Sequence, residues 1–112
     1  MNANINNLSS DMRPTASLAG VAIADQSLTV AGTSAAMIAT TLNDNTNYVF
    51  WTLTGADAYF TLDNSDPVGG SNGHFVAANA SGVWSREMAI AAKWIREGAT
   101  SARLHISELQ GK

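Results

Sequence analysis

The sequence predicts an all-β fold: a small antiparallel β-sandwich, of jelly-roll or Ig-like type, with an extended N-terminal arm. Three observations carry this. From Ala16 onward, short runs rich in Val, Ile, Thr and aromatic residues follow one another at close, fairly even spacing, separated by turn residues. At 112 residues the chain is the size of one ordinary domain, with room for one core and not for two. Before Ala16 the pattern is missing, so residues 1–15 read as a flexible arm and 16–112 as the sandwich.

Taken in order, residues 1–14 are polar and Asn-rich and end in Arg13-Pro14. Weaker strand runs follow at Ser17–Ile23, Ser27–Val30 and Ala36–Thr41. Asn43-Asp-Asn-Thr-Asn47 is turn chemistry, because Asn and Asp side chains bond their own backbone and tolerate left-handed φ. The clearest strand is Tyr48–Thr54, whose β-branched and aromatic residues suit a pleated surface and whose two apolar faces predict a buried position. Gly55-Ala56 leads into Asp57–Asp63, where Phe60 and Leu62 share one face and Tyr59, Thr61 and Asp63 the other. The two runs read as a hairpin closed around Gly55.

After the Pro- and Gly-rich turn Asp66–Gly73, strand runs recur at Gly73–Ala77 and around Val83-Trp84. Residues Arg86–Glu97 admit two readings. Met88, Ala91, Ala92 and Ile95 have helical spacing between a Ser85 cap and Gly98; equally, Lys93–Glu97 reads as a strand paired with Ser101–Ser107 across Gly98-Ala-Thr100. At the end Ala102, Leu104 and Ile106 alternate with Arg103, His105 and Ser107, the pattern of a half-buried strand.

Charged residues make up only 13 % of the chain, about half the usual share, so Thr, Ser, Asn, Ala and Gly must cover the surface. Such a surface suits a protein much of whose outside is contacted by something else. A net charge of −3 argues against nucleic acid, because neutralising phosphates needs clustered Lys and Arg. Five of the six basic residues lie in the last third, but Glu87, Glu97 and Glu108 are interleaved with them. With no cysteine there is neither a disulfide framework nor a thiolate metal site. The first residues lack the basic start and apolar stretch of a signal peptide, and no apolar run approaches the ~18–20 residues that span a bilayer. No membrane association and synthesis in the cytosol are the expectations.

Chemistry is sparse. His74 and His105 have no H-x-H or H-x-x-x-H spacing and read as surface hydrogen-bonding residues. No Ser sits in a G-x-S-x-G elbow, and no Gly-rich loop precedes a Lys or opens a helix, so neither hydrolysis nor phosphate cradling is supported. Asp63-Asn-Ser-Asp66 resembles a cation loop in composition but lacks D-x-D-x-D-G spacing and a closing bidentate Glu. Turn chemistry accounts for each of its residues: Asp63 and Ser65 bond the backbone, Asn64 takes positive φ and Pro67 stops the strand. No cofactor is expected. Trp51 is assigned to the core, while Trp84 and Trp94 are open between core, stacking platform and interface anchor.

The order of segments, from Ser27-Leu-Thr-Val through Tyr48–Thr54, Gly55-Ala-Asp57, Tyr59–Pro67 and Gly73-His-Phe to Lys93-Trp-Ile-Arg96 and Ala102–Ser107, resembles small β-sandwich proteins encoded beside capsid genes of tailed phages. Those relatives often carry a T-x-D-G-S-x-P hairpin; here Asn64 stands where the glycine would be, the next best residue for a left-handed turn. The resemblance covers roughly residues 26–109 and rests on turn and strand motifs, so it bears on fold more than on role. It also favours a short helical or irregular turn at Arg86–Ile90 followed by a strand. What it implies is a virion part on the capsid surface, a decoration or cement protein, often a trimer at three-fold positions, that binds the major capsid protein. On that reading the partner-binding residues are Ile5, Leu8 and Arg13 in the arm, with Trp84 and Trp94 as interface anchors, and no catalysis is expected. Two other readings stay open: a head–tail connector or tail component, and a carbohydrate-binding module using the tryptophans and the Asp63–Asp66 loop.

Overall fold

The computed structural model describes residues 21–68 and 71–111. Among these residues eight strands form two four-stranded antiparallel sheets, with one short helix between the sixth and seventh. In chain order they are β1 (Val21–Val30), β2 (Ala35–Ala36), β3 (Tyr48–Thr54), β4 (Ala58–Thr61), β5 (His74–Val76), β6 (Ser81–Ser85), α1 (Arg86–Ala91), β7 (Lys93–Arg96) and β8 (Ala102–Gln110). One sheet runs β1-β8-β3-β6, the other β2-β7-β4-β5.

The pairing follows one rule. β1 pairs with β8, β2 with β7, β3 with β6 and β4 with β5, as if one long hairpin were folded in two and rolled up. Contacts of β3 with β8 and of β4 with β7 then close each sheet. Of the two sandwich types the sequence left open, this is the jelly roll.

Rolling the strip sends every consecutive strand but β5 to the opposite sheet, and this corrects the hairpin expected around Gly55. β3 and β4 lie in different sheets, and residues 55–57 form a corner between them. Gly55 takes φ +92°, open to glycine at little cost, and the corner is tied down from both sides. The Asp57 carboxylate accepts the Ala78 N–H (2.7 Å), and the Asp57 carbonyl accepts the Glu97 N–H (3.0 Å). For the same reason β7 pairs with β2 and β4, not with β8 across residues 98–100. Of the run expected at Ala36–Thr41 only Ala36 lies in a strand, β2, and the described end of the Ser17–Ile23 run, residues 21–23, joins Ser27–Val30 in β1, with a bulge between Ala22 and Ala24.

The short helix forms as expected: the Ser85 hydroxyl caps it by accepting the Met88 N–H (3.2 Å), and Glu87 sits in its first turn. Ala92 turns extended, so the chain leaves the helix directly into β7. The core lies between the sheets: Val30, Val49, Trp51, Leu53, Leu104 and Ile106 from one, Ala58, Val76 and Trp94 from the other, closed by Met37, Leu42, Ala89 and Ala92. The alternation read in Ala102–Ser107 is observed, with Ala102, Leu104 and Ile106 inside and Arg103 and His105 exposed.

Candidate functional site

Of the residues expected to bind a partner, Ile5, Leu8 and Arg13 lie outside the described residues. Trp94 is corrected: β7 is an inner strand of its sheet, its inward positions face the core, and Trp94 is fully buried (0 % exposed). It cannot serve as a surface anchor. Trp84, on the edge strand β6, is half-buried and packs on the core. The three tryptophans form one cluster with Phe60. Trp51 meets Trp84 and Trp94 edge to face, each at 5.3 Å between centroids, and Phe60 lies 4.9 Å from Trp84 and 5.1 Å from Trp94. The indole N–H groups of Trp51 and Trp94 are buried without a hydrogen-bond partner, so the cluster is held by packing of large rings alone. Gly82, across from Trp51 on β6, makes room for it: a methyl group there would sit 2.9 Å from the Trp51 ring.

The outer faces carry what the sequence reading missed. Tyr48–Thr54 was expected to be buried on both faces, yet only Val49, Trp51 and Leu53 point inward. Phe50 is exposed on the outer face opposite an exposed Val83 on β6. On the other sheet Ile95, Tyr59 and Phe75 stand side by side across three strands, Tyr59 and Phe75 edge to face at 5.7 Å and Phe75 56 % exposed. Met88 and Ile90 are exposed on α1. A period-two pattern tells which residues share a face, but not which face is covered.

The polar groups are mostly bound into the framework. At the end of β8 the next inward position is Glu108, buried, whose carboxylate accepts the Asn43 N–H (2.8 Å), the Thr46 hydroxyl (2.9 Å) and the Gln26 amide (3.1 Å). Burial pushes its acidity towards the neutral form, but the bonds from Asn43, Thr46 and Gln26 and the charge of Arg86 outweigh this and hold it below its ordinary value. The Arg86 guanidinium in turn donates to the carbonyls of Asn43 (2.8 Å) and Thr46 (3.0 Å), so one residue from each side clamps the 43–47 turn.

The Asp63–Asp66 segment is the turn its residues suggested: Asn64 has φ +65° and Asp63 accepts the Ser65 N–H (3.1 Å). Bonds from the Ser65 hydroxyl and N–H keep the Asp63 carboxyl below its ordinary range. Asp66 is lowered by the Ser34 hydroxyl and by Lys93 at 3.0 Å. His74 and His105 sit on different sheets, and among the described residues no three of His, Cys, Asp and Glu are grouped closely enough to hold a metal ion. Among the described residues no helix is long and apolar enough to cross a membrane.

Comparison with known protein families, with curated proteins and with solved structures finds no match.

Proposed function

We propose that this chain is a structural part of a tailed-phage virion, a decoration protein that binds the outer surface of the major capsid protein lattice as a trimer and stabilises the shell. The observation that carries the reading is the pair of apolar outer faces, Phe50 with Val83 and Ile95-Tyr59-Phe75, on opposite sides of a charge-poor sandwich. Exposed apolar side chains grouped on two opposed faces suit a subunit seated among neighbours, which has use for both. The order of strand and turn segments shared with phage sandwich proteins supports the same reading, and jelly rolls recur in viral capsids, which is an analogy of architecture. In this role Trp84, the half-buried ring on the sandwich edge, and the arm residues Ile5, Leu8 and Arg13 make the attachment contacts.

Imaging of native particles, with this protein present and stripped, tests the proposal. Hundreds of copies spread over the capsid are expected; one or two rings' worth of copies would make it a connector or tail part instead. Deletion of residues 1–14 is expected to empty the capsid sites while leaving the β-sheet circular dichroism unchanged. Full occupancy after that deletion would take attachment away from the arm.

A further inference from the structure

Beside the edge strand β5 lies a cleft of about 360 Å³, lined by Thr61, Leu62, Asp63, Ser65, Asn72 and His74. Its size is at the small end of ligand sites, which run from roughly 300 to 1,000 Å³. We propose that this cleft binds a single neutral sugar ring.

Its polar groups hold one another in place. Thr61 Oγ1 donates to the Ser65 carbonyl, and the Ser65 N–H and hydroxyl both go to Asp63 Oδ1. Asn72 accepts the Val68 N–H (2.6 Å) and donates to the Asp66 carbonyl (3.1 Å). Each contact fixes a side chain without exhausting it: Asp63 keeps its second oxygen, Ser65 its lone pairs, and Asn72 a second N–H. His74 adds one donor and one acceptor when neutral, on a ring supported by Phe60 at 5.1 Å. Positioned donors and acceptors thus line the cleft beside the half-buried Leu62, and that mixture matches a ring with adjacent hydroxyl groups and an apolar face. Ordering costs that would weaken a loop site have already been met within the turn.

The alternatives fit less well. The neighbouring Asp66 is paired with Lys93, and Asp63 is the one carboxylate among the lining residues, too few charged oxygens for a calcium cage. The same carboxylate repels an anion. The tryptophans are not the platform, since Trp51 and Trp94 are buried; Trp84, 4.9 Å from Phe60, is near enough to report on the site.

The test is an amide NMR titration of the full chain with methyl glucoside, methyl galactoside and N-acetylglucosamine, each to about 50 mM, a range that captures millimolar dissociation constants. Saturable shifts confined to residues 61–65 and 72–74 are expected for at least one sugar. Binding should weaken at least tenfold in His74→Ala and in Asp63→Asn, which keeps an acceptor for Ser65, with far-ultraviolet circular dichroism unchanged. No saturable shift with any of the three sugars overturns the proposal, as do shifts centred elsewhere. Calcium chloride moving the same amides at lower concentration would make the cleft a cation site and equally overturn it. Capsid occupancy plays no part in this readout, so the two proposals stand or fall separately.

Discussion

Two regions of the same interior hold the sheets together by opposite means. In the middle, Trp51, Trp84, Trp94 and Phe60 meet ring to ring, and the two buried indole N–H groups have no acceptor. At the end beside α1, Glu108 and Arg86 close the sandwich through hydrogen bonds to the 43–47 turn. The first region depends on volume and shape and is indifferent to pH. The second depends on charge and tolerates little change in protonation. A jelly roll needs both, because its inner layer must be dry where the sheets face each other and must satisfy backbone groups where the loops cross over.

The largest expected effect is a break in the aromatic region. Trp94→Ala removes a fully buried ring that touches both other tryptophans and Phe60, and losses for such changes are about 3–5 kcal/mol. For a domain of this size that is a large part of total stability. Urea unfolding followed by circular dichroism checks it; a loss below about 1 kcal/mol would mean that the cluster is not the keystone of the interior.

A smaller and more specific test adds an atom instead of removing many. Gly82→Ala places a methyl group 2.9 Å from the Trp51 ring, which is wedged between Trp84 and Trp94 and has nowhere to retreat. Overpacking of this kind costs about 1–3 kcal/mol. Gly98→Ala is the matched control, since its methyl group meets nothing within 4 Å. Equal urea midpoints for the two variants would contradict the tight fit of Trp51 under β6.

How much of this was legible in the sequence differs between the two regions. Local signals were faithful. Tyr48–Thr54, the alternation of Ala102–Ser107, the Ser85 cap and the Asn64 turn all stand where the residues placed them, because each depends on neighbours within a few positions. Misreadings came where the partner is far away. The Gly55 corner has hairpin residues, but whether the chain turns back or crosses over is decided by β6 and β8, which flank β3 and follow it by some thirty to fifty positions. Trp94 looked available because a lone strand does not reveal that β2 and β4 lie on either side of it. Glu108 gave no signal, since an inward carboxylate reads as a surface residue until Asn43, Thr46 and Gln26 are brought to it. Of the cleft, Asp63 and Ser65 were singled out as a turn; Asn72 and His74 join them only through the pairing of β4 with β5.

The smallest effect sharpens the polar side of the comparison. Glu108→Gln keeps the shape but loses the charge, and with its carbonyl kept for Asn43 and Thr46 its new amide donor faces that of Gln26, which costs about 1–2 kcal/mol near neutral pH. The sign of the pH dependence follows from the direction of the shift. Glu108 is held below its ordinary value of 4.5 when folded, so its contribution is present above that value and fades as pH falls through the lower folded one. The gap in urea midpoint between the natural chain and the variant should therefore close progressively below pH 4.5. Trp94→Ala and Gly82→Ala, which act on a ring cluster that contains no carboxylate, should keep their deficits over the same range. If the Glu108→Gln gap is as wide in acid as at neutral pH, the clamp works by shape alone, and the contrast between a dry middle and a charged end is lost.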